Sequence, residues 1–169
     1  MPESTIPTRI VDVRRTPAGR HVVLLAAGDR ELPIWIGAPE GAALAFRLHD
    51  DAPPRPLTSD LMAELVRVLG GSVERVAVTA LRDKVFYAVV TLADEELDAR
   101  PSDAINLAVR TGAPILVDPH VLEEAALPPE ELEQRLEERA RETGFELPPG
   151  RWTSLSTELL RSLHAWPPR

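Results

Sequence analysis

The chain contains no cysteine, which excludes disulfide scaffolds, zinc–thiolate sites, iron–sulfur clusters and cysteine nucleophiles. Histidine is scarce, and His21, His49, His120 and His164 are too widely spread to form an H-x-x-x-H or H-x-E pair. A zinc site built from histidines is therefore not expected. No G-x-S-x-G elbow is present, and Gly37-Ala38-Pro39-Glu40-Gly41 matches neither a Walker loop nor a dinucleotide fingerprint. The first residues show no basic stretch followed by an apolar one, and the apolar run Val22 to Ala27 falls far short of the ~20 residues of a membrane span. The expectation is a cytoplasmic chain with no membrane partner. Lysine is nearly absent too: Lys84 is the single one among 19 basic residues.

What is present fits a globular fold. The 169 residues are 44% hydrophobic and 27% charged, enough for one domain with a modest extension. Twenty-seven acidic residues against 19 basic give a net charge of −8. No basic arm offsets it, since residues 1–125 carry −6 and residues 126–169 carry −2. A chain with this balance repels nucleic acid in bulk, so a polyanion would have to be handled at a local site.

Hydrophobic periodicity places the elements. Residues 9–15 alternate weakly, Val22 to Ala27 is apolar on both faces, and Gly28-Asp29 turns the chain into Glu31 to Ile36. This pattern predicts an antiparallel meander whose middle strand is covered on both sides. Helical spacing begins after Gly37, with Pro39 in the first turn. Asp50 to Pro56 cannot continue a helix. A second helix starts at Thr58 or Ser59, with Leu61, Leu65 and Leu69 at i, i+4 and i+8, and Gly70-Gly71 ends it. Val73 to Leu81 and Lys84 to Ala93 predict two strands about an Arg82-Asp83 corner. A third helix runs from Pro101 to about Arg110, followed by the strand Ile115 to Val117 and a short helix from Pro119 to Ala125.

The prediction is an α+β domain at residues 8–125, a mixed and largely antiparallel sheet packed with three to four helices. Residues 126–169 form a helical C-terminal extension. Its first stripe is Leu132, Leu136 and Ala140; a last helix starting near Ser154 bears Leu155, Leu159 and Leu163 between Trp152 and Trp166. These stripes need partner surface on the main domain or on a second subunit.

Four carboxylates sit at element boundaries. Glu40, Asp60 and Asp103 occupy first helical turns, where a negative side chain offsets the helix dipole by ~0.3–1 kcal/mol. Asp83 fits a hairpin corner. Each has this local reading; together they gain a second one if the fold gathers them in one cleft.

Several strings then occur in order: Leu32-Pro33-Ile34-Trp35-Ile36-Gly37, Arg55-Pro56-Leu57-Thr58-Ser59-Asp60-Leu61, Phe86-Tyr87-Ala88 and Asp98-Ala99-Arg100-Pro101-Ser102-Asp103-Ala104-Ile105. Over residues 8 to 125 the chain resembles the bifunctional nuclease family, most specifically in Ala99 to Ala104. It departs from the family pattern at Ser59, where histidine is usual, and at Gly41, where alanine is usual. The resemblance implies an α+β domain, a homo-oligomer (dimer or higher), and hydrolysis of phosphodiester bonds in RNA and DNA.

For such a nuclease, carboxylates alone repel the substrate, whereas Mg²⁺ or Mn²⁺ between them and phosphate reverses the sign. The expected acidic group is Asp103, Asp60 and Asp83 with Glu40, with Asp103 and Asp60 as metal ligands. Arg100 and Arg55 would contact phosphate through planar guanidinium groups, and Tyr87 would stack on bases. Arg100 has an alternative role in a salt bridge with Asp103 or Asp98, and Phe86 in core packing. The competing functional classes are a non-catalytic binding or regulatory module of the same fold, and a hydrolase of small phosphoesters.

Overall fold

The computed structural model describes residues 5–15, 19–49, 53–142 and 153–154. Strands Ile6–Arg15 (β1), His21–Ala27 (β2) and Arg30–Ile36 (β3) form the expected antiparallel meander. Val85–Leu92 (β5) pairs antiparallel with Val73–Arg82 (β4) and with Glu95–Ala99 (β6). Ile115–Val117 (β7) joins the two halves, antiparallel to β1 and parallel to β4. The resulting path is β3-β2-β1-β7-β4-β5-β6, and Thr153–Ser154 (β8) pairs separately with β1. The sheet is mixed and largely antiparallel, as the sequence predicts.

Five helices accompany it among the described residues: Ala38–Leu48 (α1), Thr58–Val68 (α2), Pro101–Thr111 (α3), Pro119–Ala125 (α4) and Pro129–Glu142 (α5). Pro39, Pro101 and Pro119 each stand in a first turn, where the missing N–H is no loss. Gly112 ends α3 in the left-handed conformation, at φ 75°.

The double-sided apolarity of β2 has a direct structural cause. Val23 and Leu25 point into the main core with the helices α1 and α3, while Val22 and Leu24 point to the other face, where Leu132 and Leu136 of α5 cover them. The stripe of α5 thus finds its partner on the main sheet. All six of these side chains are fully buried, each contributing roughly 1.5–3 kcal/mol of burial free energy. The helix expected from Ser154 onward lies outside the described residues, as does part of the loop at residues 50–52.

Strand β6 was not predicted. Its sequence Glu95-Glu96-Leu97-Asp98-Ala99 lacks alternating hydrophobics because it is an exposed edge strand with an acidic rim, a composition that discourages edge-to-edge pairing. Two tight hairpins build this end of the sheet. Asp83 and Lys84 have φ 49° and 65°, and Ala93 and Asp94 have φ 48° and 64°. Both positive angles in succession match the type I′ turn that suits the right-handed twist of paired strands.

Candidate functional site

Helix α3 organises the polar chemistry. At its N-terminus, the Arg100 guanidinium donates to both oxygens of Asp103 at 2.6 and 3.0 Å and to Glu40 Oε1 of α1 at 3.0 Å. The hydrogen bond and charge of Asp103, then those of Glu40, hold Arg100 still more firmly in its charged form. Glu40 is folded back on the start of α1, so close that a Cβ at Gly37 would overlap its carboxylate. One turn further along α3, buried Asn106 donates from Nδ2 to the carbonyls of Ser102 and Glu40 at 2.9 and 3.0 Å. Arg110 Nη1 donates to Asn106 Oδ1 at 3.0 Å, and Arg110 Nη2 to the carbonyl of Ala43. Arg110 Nε donates to Asp60 Oδ1 of α2 at 2.5 Å. The polar residues of α3 therefore stitch three helices together.

Of the four carboxylates expected to converge, the structure brings together Glu40 and Asp103, both on Arg100. Asp60 is engaged elsewhere. Its Oδ2 accepts from the Leu57 backbone N–H at 2.7 Å, and its other oxygen is held by Arg110. Burial pushes the Asp60 carboxyl up, but the Leu57 N–H, the Arg110 guanidinium and the charge of Arg47 outweigh it and hold the group below its ordinary range. Asp83 stands exposed at the tip of the β4–β5 hairpin, and Arg55 is exposed in the segment before α2. Tyr87 is exposed with its ring under the Arg82 guanidinium, 5.4 Å from the centroid. Phe86, on the other side of β5, packs against the core.

A groove of about 560 Å³ opens beside Arg100. The ends of β3, the β4–β5 hairpin, the N-terminus of α3 and the α4–α5 connection form its walls. Four basic side chains reach it from four separate stretches of chain: Arg20 before β2, Lys84 in the β4–β5 turn, Arg100 before α3 and Arg135 of α5. Glu124 is the acidic residue of the lining, and Trp35 and Phe86 supply aromatic surface. The Arg20 guanidinium lies over the Trp35 ring at 4.6 Å. Gly37 and Ser102 place the starts of α1 and α3 against the groove, and neither helix has a side-chain cap. The positive ends of two helix dipoles add to the four cations. In a chain of net charge −8, this is a local concentration of cations, two of which carry carboxylates of their own: Arg100 holds Glu40 and Asp103, and Arg135 lies 3.5 Å from Glu138.

The sequence reading did not identify Arg20, Trp35, Lys84 or Arg135 as neighbours, because nothing in their spacing unites them. Asn106 and Arg110 did leave a signal. With Asp103 they form a polar line at i, i+3 and i+7 on a helix otherwise made of apolar and small residues.

Among the described residues, no group of three or more histidine, aspartate or glutamate side chains gathers to hold a metal ion. Asp60 and Asp103 do not form the expected ligand pair, since each is bound by a different arginine. Glu40 and Asp103 do supply the one or two carboxylates that Mg²⁺ commonly takes from protein, with water and substrate phosphate filling its other positions. Both are engaged by Arg100, so an ion there would have to take them from the guanidinium.

Two departures from the family pattern can be placed. Ser59 is buried at the start of α2. Gly41 packs on His21, and a Cβ there would lie 2.7–2.8 Å from the His21 ring and Cβ. Burial pushes His21 below its ordinary imidazole value, and the ring packs directly against this glycine.

A model of the bifunctional nuclease domain matches residues 22–130. The chain is 43% identical over 123 residues to "Uncharacterized protein Rv1829" of Mycobacterium tuberculosis (strain ATCC 25618 / H37Rv), an alignment covering 70% of this chain and 75% of that protein. It is 32% identical over 114 residues to "Bifunctional nuclease 1" of Oryza sativa subsp. japonica, covering 62% of this chain and 34% of that protein. With the domain model spanning more than half its length, the chain belongs to the bifunctional nuclease domain family.

Proposed function

We propose that the chain hydrolyses phosphodiester bonds of RNA and DNA strands bound in the groove beside Arg100. The observation that supports this most is the convergence of Arg20, Lys84, Arg100 and Arg135 on one groove of an otherwise acidic chain. Phosphate is the ligand that such a set recognises, and guanidinium groups bind it through two oxygens at once. Trp35 and Phe86 offer apolar surface against which a base can rest.

In this reading Arg100 has two states. Without substrate it holds Asp103 and Glu40; with substrate, phosphate oxygens compete for the same exposed guanidinium. Release of Asp103 leaves a carboxylate one residue beyond the lining residue Ser102, and in this reading it accepts the proton of an attacking water. Arg100 and Lys84 then stabilise the charge that builds on the phosphoryl and leaving oxygens. A Mg²⁺ or Mn²⁺ ion, held by Glu40 and Asp103, would supply further charge neutralisation.

The second reading, a binding module without turnover, is favoured by one specific observation: both converging carboxylates are occupied by Arg100. The experiment that separates them is incubation of the purified chain with single-stranded RNA and DNA, with and without chelator, beside Asp103→Asn. The nuclease reading expects cleavage that Asp103→Asn reduces at least tenfold. Binding without cleavage at any Mg²⁺ or Mn²⁺ concentration contradicts it. Cleavage that survives chelation removes the ion and retains the groove.

A further inference from the structure

Three of the four groove cations already have partners. Arg100 holds Glu40 and Asp103, Arg135 pairs with Glu138, and the Arg20 guanidinium rests on the Trp35 ring. Lys84 enters no ion pair among the described residues, and neither does Glu124, the acidic residue of the lining. The two belong to different walls. Lys84 lies in the β4–β5 turn, two residues from Phe86. It has φ 65°, so an ammonium is carried at a turn position that favours glycine or asparagine. Glu124 lies in α4, just before Leu127, which pairs with Glu31 of β3, the strand that carries Trp35.

We propose, resting on the reading that nucleic acid binds in this groove, that it holds one nucleotide and selects guanine, with Glu124 on the base and Lys84 on the phosphate. The groove volume of about 560 Å³ falls within the roughly 300–1,000 Å³ of small-molecule sites. An ionised carboxylate can only accept hydrogen bonds. Guanine presents two adjacent donors, N1–H and the N2 amino group, which match the two oxygens of one carboxylate. Adenine and cytosine set a ring-nitrogen acceptor beside their amino group, and uracil and thymine flank their N–H with carbonyls, so each would turn an acceptor toward Glu124. The Arg20–Trp35 stack and Phe86 supply flat surface for the base. At the other wall, buried Ser102 lines the groove from the first turn of α3, where N–H groups have no partner within the helix. Its donors and the Lys84 ammonium suit phosphate oxygens. The nucleotide therefore lies across the groove, base toward α4 and phosphate toward the β4–β5 hairpin.

The test is titration calorimetry of the full chain in chelator, with the 5′-monophosphates of guanosine, adenosine, cytidine and uridine, and with guanosine alone. Guanosine monophosphate should bind at least about fivefold more tightly than the other three. Glu124 and Lys84 are both exposed, so their replacement disturbs no core packing. Glu124→Gln should bring guanosine monophosphate down to the level of the other three and leave those unchanged. Lys84→Ala should weaken all four monophosphates by about tenfold and leave guanosine unchanged. An oligouridylate with and without one guanosine separates the two sources of the ligand. A gain from that guanosine assigns the subsite to a strand, and a gain confined to the mononucleotide assigns it to free nucleotide. Equal affinity for the four monophosphates would overturn the proposal, as would a guanine preference that survives Glu124→Gln. Either result leaves the nuclease reading standing, whereas guanine selection without strand cleavage keeps the subsite and removes the nuclease.

Discussion

The two ends of α3 carry the same chemistry in opposite settings. At each, an arginine binds a carboxylate from a neighbouring helix: Arg100 with Glu40 of α1, besides Asp103 of α3 itself, and Arg110 with Asp60 of α2. The Arg100 side chain is 67% exposed and borders the groove, whereas that of Arg110 is 5% exposed and also donates to main-chain carbonyls. A buried guanidinium bonded through all three of its nitrogens cannot leave its partners without leaving charge unpaired. An exposed one exchanges its partners for solvent or phosphate at a cost of about 0–1 kcal/mol. Solvent access, more than residue type, separates the fixed pair from the exchangeable one here.

Substitution at each end should separate rate from stability. The largest effect expected is on catalysis. Arg100→Ala should lower cleavage of single-stranded RNA by about 10²-fold or more, with a melting temperature close to that of the native chain. Arg110→Ala should do the reverse. It strands the acceptors of Asn106, Ala43 and Asp60 in or near the core, costing about 3 kcal/mol, or roughly 6–12 °C in Tm for a chain of this size. Thermal unfolding of the two variants checks both statements.

The Asp60 contribution has a definite pH signature. Its carboxyl is held below the ordinary value in the folded chain, so its stabilisation is complete above the unfolded-state value and is lost as pH falls through the folded one. Acid unfolding of Asp60→Asn should therefore be less steep in that range than for the native chain. Urea unfolding at several acidic pH values measures this.

Two smaller effects test packing away from α3's ends. Gly41→Ala forces a methyl against the His21 ring and should cost about 1–3 kcal/mol. Combining it with His21→Ala should return part of that loss, because the obstructing ring is gone. Ala93→Gly should stabilise the β5–β6 hairpin by about 0.5–1 kcal/mol, since Ala93 sits at φ 48°, a region that costs a residue with a Cβ about that much or more. Both are read from denaturant midpoints.

The order of elements was legible because each follows from local rules. Prolines mark first turns, Gly112 marks a helix end, and the unbroken apolarity of Val22 to Ala26 signals a strand covered twice. Strand β6 escaped because an acidic edge strand has no hydrophobic alternation to read; what makes it a strand is the turn at Ala93-Asp94 and the open edge of β5. The candidate site was legible only where the sequence is contiguous. Arg100 and Asp103 share one helix start and were expected to act together. Glu40 joins them across 60 residues because α1 and α3 pack side by side, and Asp60 leaves the group because Arg110 claims it. Arg20, Lys84 and Arg135 came to one groove through strand order and the docking of α5 on β2, which no spacing announces. Alternation did place Phe86 and Tyr87 on opposite faces; the groove then takes Phe86, which packs on the core and borders the cavity at once.

The central claim is that scattered cations, gathered by folding, give this acidic chain one place where phosphate binds. The most direct measurement is the salt dependence of binding to a fluorescent single-stranded oligonucleotide in chelator, so that no cleavage intervenes. The slope of log affinity against log salt should become shallower by about 0.7 for each of Lys84→Ala and Arg135→Ala, and by twice that for the pair. Slopes that match the native chain in both variants, with affinity unchanged, would contradict the account.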